Sequence, residues 1–106
     1  MNPIFSSNII DGLKLVWRLV APKQECSGSD IDIGRTLDIK TCAEKCQEKS
    51  SMFIYGTNDW GNNRCFSDGC NCACETAANS DGTCNRIDHT GYRLFKYDKG
   101  GSCRTH

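Results

Sequence analysis

The residues most able to do chemistry in this chain are its nine cysteines, three of which stand at alternate positions in the stretch "GCNCACE". Cys70, Cys72 and Cys74 fit three chemistries: a metal knuckle, a redox centre, or one edge of a disulfide framework. Zinc would draw on Cys65, Cys70, Cys72, Cys74 and Cys84, but structural zinc sites favour two knuckles with two to four residues between the ligands, and no matched second pair is present. A redox centre needs a thiol acidified by a helix N-terminus or a nearby cation, whereas Cys74 is followed by Glu75, which works the other way. The cysteines therefore read as a disulfide framework, and no metal or other cofactor is expected.

Other chemistry is thinly represented. "DIDIG", residues 30–34, has the carboxylate spacing that opens a calcium loop, but Ile33 stands where a third oxygen ligand is needed and no glutamate closes the loop. It reads as a solvated turn. The histidines, His89 and His106, stand in no catalytic motif, and His89 beside Asp88 reads as a surface residue. No general base or nucleophile is assigned, so catalysis is not expected. The strongest binding signal is "NDWGNNR", where Trp60 sits among Asp59, Asn62, Asn63 and Arg64 at the tip of a polar turn. An indole supplies a stacking or anchoring face, while amides and charges fix a ligand's orientation. The bland alternative has Trp60 folded back onto a small core that needs every large aromatic it has.

Composition narrows the field. Thirteen basic and thirteen acidic residues cancel, and no block of like charge gives nucleic acid or an anionic membrane a purchase. The longest apolar run, "LVWRLVA", carries Arg18 and is far short of the roughly 20 residues that span a bilayer, so no membrane insertion is expected. The first residues lack the basic and apolar regions of an export signal, yet cysteine at this density marks oxidised, extracellular domains. A processed, secreted domain is the expectation, with Met1 an addition to the mature form. The chain has no Asn-x-Ser/Thr sequon.

The elements that must position these residues follow from periodicity. The chain reads as one domain, 1–106, with a core over about 13–98 and flexible tails at 1–8 and 99–106. "LKLVWRLV" alternates as a strand, with Leu13, Leu15, Trp17 and Leu19 on one side. "SGSDIDIG" reads as a loop or an irregular edge. Thr41 and Glu44 form a capping box, and good helix formers follow, predicting a helix over 41–50. "SMFIYGT" and "RCFS" predict a β-hairpin over about 52–67 turned by "NDWGNN". Residues 75–91 read as a long loop pinned at Cys84. "YRLFKY" closes the fold as a strand, with Tyr92, Leu94 and Lys96 on one face and Arg93, Phe95 and Tyr97 on the other.

On the helix, Cys42 and Cys46 are four residues apart and point the same way, so both sulfurs face one neighbour and the helix is stapled twice onto a sheet or its adjoining loop. "CAEKC" on a helix, then "MFIYG", "RCF" and a closing "GYRLFKY", together resemble the PAN/apple domain over about residues 13–98. The resemblance implies an α+β fold, a single helix packed on a curved antiparallel β-sheet, with Cys42 bridged to Cys65. It also implies a non-catalytic recognition module that binds carbohydrate or protein ligands in adhesion or attachment. PAN/apple domains usually carry a cysteine before the aromatic strand to receive the second helix cysteine, where this chain has Ser50, Ser51 and Met52. Cys46 must then draw its partner from "GCNCACE". Members of the family often join their first and last cysteines, here Cys26 and Cys103. Cys103 instead lies in a Gly-rich tail, and setting it aside leaves an even eight: Cys26, Cys42, Cys46, Cys65, Cys70, Cys72, Cys74 and Cys84. Cys26 then joins one of the loop cysteines or Cys84. Cys103 becomes a free or interchain thiol, which opens a second reading as an assembly unit of a secreted matrix or multidomain protein, with a disulfide-linked homodimer as its simplest form.

Overall fold

The computed structural model describes residues 15–57, 65 and 67–98. Among these residues there are five strands and one helix, in the order β1 (Trp17–Cys26), β2 (Ile31–Thr36), α1 (Ile39–Cys46), β3 (Met52–Gly56), β4 (Cys70–Cys74) and β5 (Arg86–Tyr97). All pairings are antiparallel, and the sheet order is β1-β5-β3-β4-β2, with α1 against one face. It is a small disulfide-rich α+β fold. Among the described residues no helix is long and apolar enough to cross a membrane.

Alternation along the central strands divides the core into two layers. On the helix side Phe53, Tyr55, Cys72, Cys74 and Phe95 pack with Cys42, Ala43 and Cys46. Phe53 is the hub: its ring stacks on Phe95 at 5.1 Å, lies 5.3 Å from Tyr97 and meets Trp17 edge-on at 6.4 Å. Such pairs add about 1 kcal/mol each to the area they bury. Two tyrosines tie the layer to the backbone, Tyr55 donating to the Thr36 carbonyl at 2.6 Å and Tyr97 to the Ala43 carbonyl at 2.5 Å. Both carbonyls flank or belong to the helix, so the phenols help seat it. On the other side Met52, Ile54, Ala73 and Leu94 pack with Cys26.

Four bridges form among the described residues: Cys26–Cys84, Cys42–Cys72, Cys46–Cys74 and Cys65–Cys70. The Cys42–Cys65 pairing implied by the family resemblance is not formed. Cys72 and Cys74 point at the helix from the middle and end of β4, with Cα separations of 5.6 and 5.2 Å from Cys42 and Cys46. Cys65 lies five positions before Cys70 and closes on it instead. The double staple thus runs to β4, a strand that "GCNCACE" forms in full.

Several boundaries differ from the sequence reading. The helix starts earlier and ends sooner than 41–50, because Asp38 and not Thr41 caps it: Asp38 is extended and its carboxylate accepts from the Thr41 N–H at 2.8 Å. Hydrogen bonding from the Thr41 side chain, and then from its backbone N–H, holds the Asp38 carboxyl below its usual pKa. Thr41 is left inside the first turn. Of the stretch expected as a loop or irregular edge, residues 31–34 lie in the edge strand β2, recruited by the ladder to β4 with a register shift between Asp32 and Gly34, and Asp30 precedes the strand. Among the described residues the strand after β3 is β4; most of the hairpin expected over 52–67 lies outside the described residues, and of "RCFS" only Cys65 and Ser67 are described, neither of them in a strand. β5 begins at Arg86, inside the segment expected as loop. β1 extends ten residues through Pro22, which an edge strand tolerates because its N side need not donate. Register shifts fall between Leu19 and Ala21 and between Pro22 and Gln24. They break the expected alternation, leaving Leu19 exposed and Ala21 buried. At the far end of the sheet the backbones of β3 and β5 approach so closely that a Cβ on Gly56 would meet the Gly91 carbonyl and one on Gly91 the Thr57 carbonyl.

Glu75, directly after β4, is fully buried. Its backbone N–H donates to the Met52 carbonyl, and its Oε2 accepts from the Cys26 N–H at 2.9 Å. It therefore ties β1 to β4, which are not neighbours in the sheet. Oε1 has no partner and is the one such buried side-chain atom among the described residues. Burial raises the carboxyl from 4.5 to about 7, against the Cys26 hydrogen bond and with help from Asp30 and Glu25.

Two predictions follow from these ties. Between pH about 4.5 and 7 folded Glu75 keeps a proton that the unfolded chain has released, so stability falls as pH rises through that window and levels off above it, by roughly 3 kcal/mol at most. Urea midpoints measured near pH 5 and pH 8 should drop for the wild type, and Glu75→Gln should shrink that drop. For the bridges, loop-closure entropy gives about 3.6 kcal/mol to a span of 30 and about 2 kcal/mol to a span of 5. Replacing Cys42 and Cys72 by serine should therefore lower the unfolding midpoint clearly more than replacing Cys65 and Cys70.

Candidate functional site

Because α1 covers one face of the sheet, the opposite face is where strands can present side chains to solvent. A cleft of about 700 Å³ lies there, lined from all five strands by residues that include Glu25, Asp30, Asp32, Arg35, Asp68, Asn71, His89 and Tyr92. Ile54 and Ala73 supply its apolar part. Another cleft of similar volume, lined by Leu15, Lys49, Asp81, Lys96 and Tyr97 among others, has charges of both signs and lacks a comparable convergence of polar groups on an aromatic pair.

The strands fix these groups in simple ways. With Cys72 and Cys74 turned to the helix, alternation turns Asn71 and Ala73 the other way. Asp32 and Gly34 flank a register shift in β2, where the Asp32 carboxylate accepts from the Gly34 N–H at 2.9 Å and Gly34 takes a φ of 94°. This local turn holds Asp32, the one acidic residue of the edge strand, in the lining of the cleft. Arg35 Nε meets Asp68 Oδ1 at 2.6 Å. Both side chains are substantially exposed, so the pair contributes less than about 1 kcal/mol to stability and serves more to set the orientation of that wall.

The centre of the site is a ring pair. His89 and Tyr92 stack with centroids 3.9 Å apart and planes 9° from parallel. His89 is only 6% exposed, so the surface placement expected from "IDHTG" is corrected: β5 begins early enough to carry it into the sheet. Its Nδ1 accepts from the Gly91 N–H at 3.1 Å, which leaves the proton of a neutral ring on Nε2. Burial raises the Tyr92 phenol above its usual pKa, the Asn71 side chain opposes this through a hydrogen bond, and Glu25, Asp32 and Asp30 add to the rise. Tyr92 is thus held as a neutral hydroxyl. Burial also raises Glu25, partly offset by His89. The cleft offers carboxylate and amide oxygens as acceptors, a phenol and an amide as donors, and little net positive charge.

Among the described residues one cysteine group has the spacing of a metal cluster. The sulfurs of Cys42, Cys46 and Cys72 lie within 4.8 Å of one another, but each is spent in a disulfide and offers no thiolate.

The sequence-predicted binding residues Asp59, Trp60, Asn62, Asn63 and Arg64 lie outside the described residues, as does Cys103. The residues that do converge were passed over, although one signal was present. Once the cysteines of β4 are assigned to the helix, Asn71 between them must face the open side. The acids of "DIDIG" carried no such signal, since only the long-range ladder to β4 brings them beside Asn71. No family model, curated protein or solved structure matches this chain.

Proposed function

We propose that this chain is an extracellular, non-catalytic recognition domain of PAN/apple type, and that the cleft on the helix-free face binds a carbohydrate ligand. The single observation that carries the reading is the gathering of Asp30, Asp32, Asn71 and Tyr92 in one cleft beside the His89–Tyr92 stack. Sugars present vicinal hydroxyls that need paired acceptors and donors and an aromatic surface close by, which is what these groups supply. The acidic walls suit neutral or amino sugars and disfavour sulfated chains, whose charge they repel. The family resemblance is supported in its coarse form by one helix bridged twice to an antiparallel sheet. Departure from the family appears in the bridges, which run to β4. The count of bridges supports residence in an oxidising compartment.

A glycan array is the test. Specific binding lost by tenfold or more in Asn71→Ala and in Tyr92→Phe, with circular dichroism unchanged, bears the reading out. A flat array on folded protein sinks it and leaves a protein ligand as the remaining branch of recognition. If Trp60→Ala abolishes binding while the cleft variants do not, the site lies instead in "NDWGNNR".

The second reading, a building block of a secreted assembly, is favoured by one count: the four bridges use eight of the nine cysteines and leave Cys103 as the ninth. Non-reducing electrophoresis separates the two. A dimer lost in Cys103→Ser supports assembly, and a clean monomer with one titratable thiol removes it.

A further inference from the structure

The four bridges are not equivalent. Cys42, Cys46, Cys72 and Cys74 are fully buried and Cys26 is 3% exposed, so their sulfurs are shielded from solutes. Cys65 is exposed and Cys70 half-buried, and their bridge joins no two elements of the sheet and helix. It opens instead onto a cleft of about 360 Å³ that it lines together with Lys23, Tyr55, Thr57, Thr90 and Arg93. Lys23 sits at the second register shift of β1 with a φ of 61°, and Arg93 is in register with Pro22 and Tyr55, so the two cations come from adjoining strands. No carboxylate lines this cleft among the described residues.

We propose that Cys65–Cys70 is a thiol–disulfide exchange site that takes small anionic thiols of the glutathione class. Exchange requires a thiolate to reach a sulfur and a leaving thiolate to be tolerated, and nearby cations assist both. Lys23 and Arg93 attract a peptide thiol whose carboxylates outnumber its ammonium, and they favour the thiolate that departs. The incoming thiolate attacks Cys65 Sγ, the exposed sulfur. A bond forms between the two sulfurs, the Cys65–Cys70 bond breaks, and Cys70 leaves as a thiolate that takes its proton from water. A second thiol then attacks the sulfur of the bound one, releasing Cys65 as a thiolate and carrying off the oxidised thiol dimer. Two thiols supply the two electrons, and no other oxidant or reductant is needed.

Cys84 is the competing target, since it is half-buried in a cleft with Arg18, Arg86 and Lys96. Attack there would expel the buried Cys26 as a thiolate at a residue whose own N–H is held by the Glu75 carboxylate, and it would open a span of 58 rather than 5. Both work against it.

The test uses the full chain, folded and without denaturant. It is exposed to reduced glutathione or to cationic cysteamine at matched thiolate concentration, then quenched in acid and mapped by peptide mass spectrometry. The expected first adduct is on Cys65 or Cys70, and Cys65→Ser/Cys70→Ser takes none while keeping its circular dichroism. Lys23→Glu/Arg93→Glu should slow glutathione by roughly tenfold and leave cysteamine no slower. Should that variant not fold, about 0.5 M salt on the wild type should slow glutathione while sparing cysteamine. Modification first at Cys26–Cys84, modification only on unfolding, or rates indifferent to charge and salt would each overturn the proposal.

Discussion

The attachment of α1 to β4 through Cys42–Cys72 and Cys46–Cys74 is the constraint on which the rest of the fold depends. A helix of eight residues has little stability of its own, because nucleation costs more than so short a ladder of hydrogen bonds returns. Its formation is secured by the Asp38 cap and by packing, and the two bridges remove the option of undocking. They also set register. A slip of β4 by one residue would turn both cysteines to the wrong face, so the ladder that pairs Phe53 with Cys74 and Tyr55 with Cys72 is locked as firmly as the helix is.

Locking β4 has a second effect, on the other side of the sheet. The alternation that aims Cys72 and Cys74 at the helix aims Asn71 and Ala73 at the open cleft, so one strand carries both the staple and part of the proposed binding surface. Opposite β4, β2 brings Asp32 to the same cleft, and beyond β3, β5 brings His89 and Tyr92. The aromatic layer and the helix cover much of one face, and the acids, Asn71 and the His89–Tyr92 pair converge on the other. The site is a consequence of how the core is divided.

How much of this was legible in the residues differs by kind. The closing strand's two faces could be read from alternation, since Tyr92 and Leu94 do pack opposite Phe95 and Tyr97. The helix was legible in its composition, but not in its cap: Thr41 and Glu44 fit a capping box, while Asp38 three residues earlier offers a stronger acceptor at the helix start. β2 was legible only as one of two options, a loop or an irregular edge, because "DIDIG" has the composition of a turn and becomes a strand only through pairing with β4, about forty residues away. The same holds for His89, whose polar neighbours say loop while the β1–β5 ladder says sheet. The shift of the helix bridge from Cys65 to Cys72 has this origin too: the strand that lies beside the aromatic strand and faces the helix with its cysteines is "CNCAC".

The short bridge and the polar cleft meet at the start of β4. Cys65 and Cys70 close a loop that contains Asp68, and Asp68 holds Arg35 of β2 in the wall of the cleft. Gly69, with a φ of 115°, passes so near β2 that a Cβ there would strike the Thr36 carbonyl, the same carbonyl that receives the Tyr55 hydroxyl. The turn of 67–69 is therefore held from three sides: by the bridge, by the ion pair and by the tight approach to β2. Opening the bridge removes one of these holds and leaves the staple to the helix untouched. The cost falls on the acidic wall beside Arg35, while Phe53 and its aromatic neighbours keep their packing. In this arrangement the most exposed disulfide is the one whose loss reaches the candidate site without reaching the core.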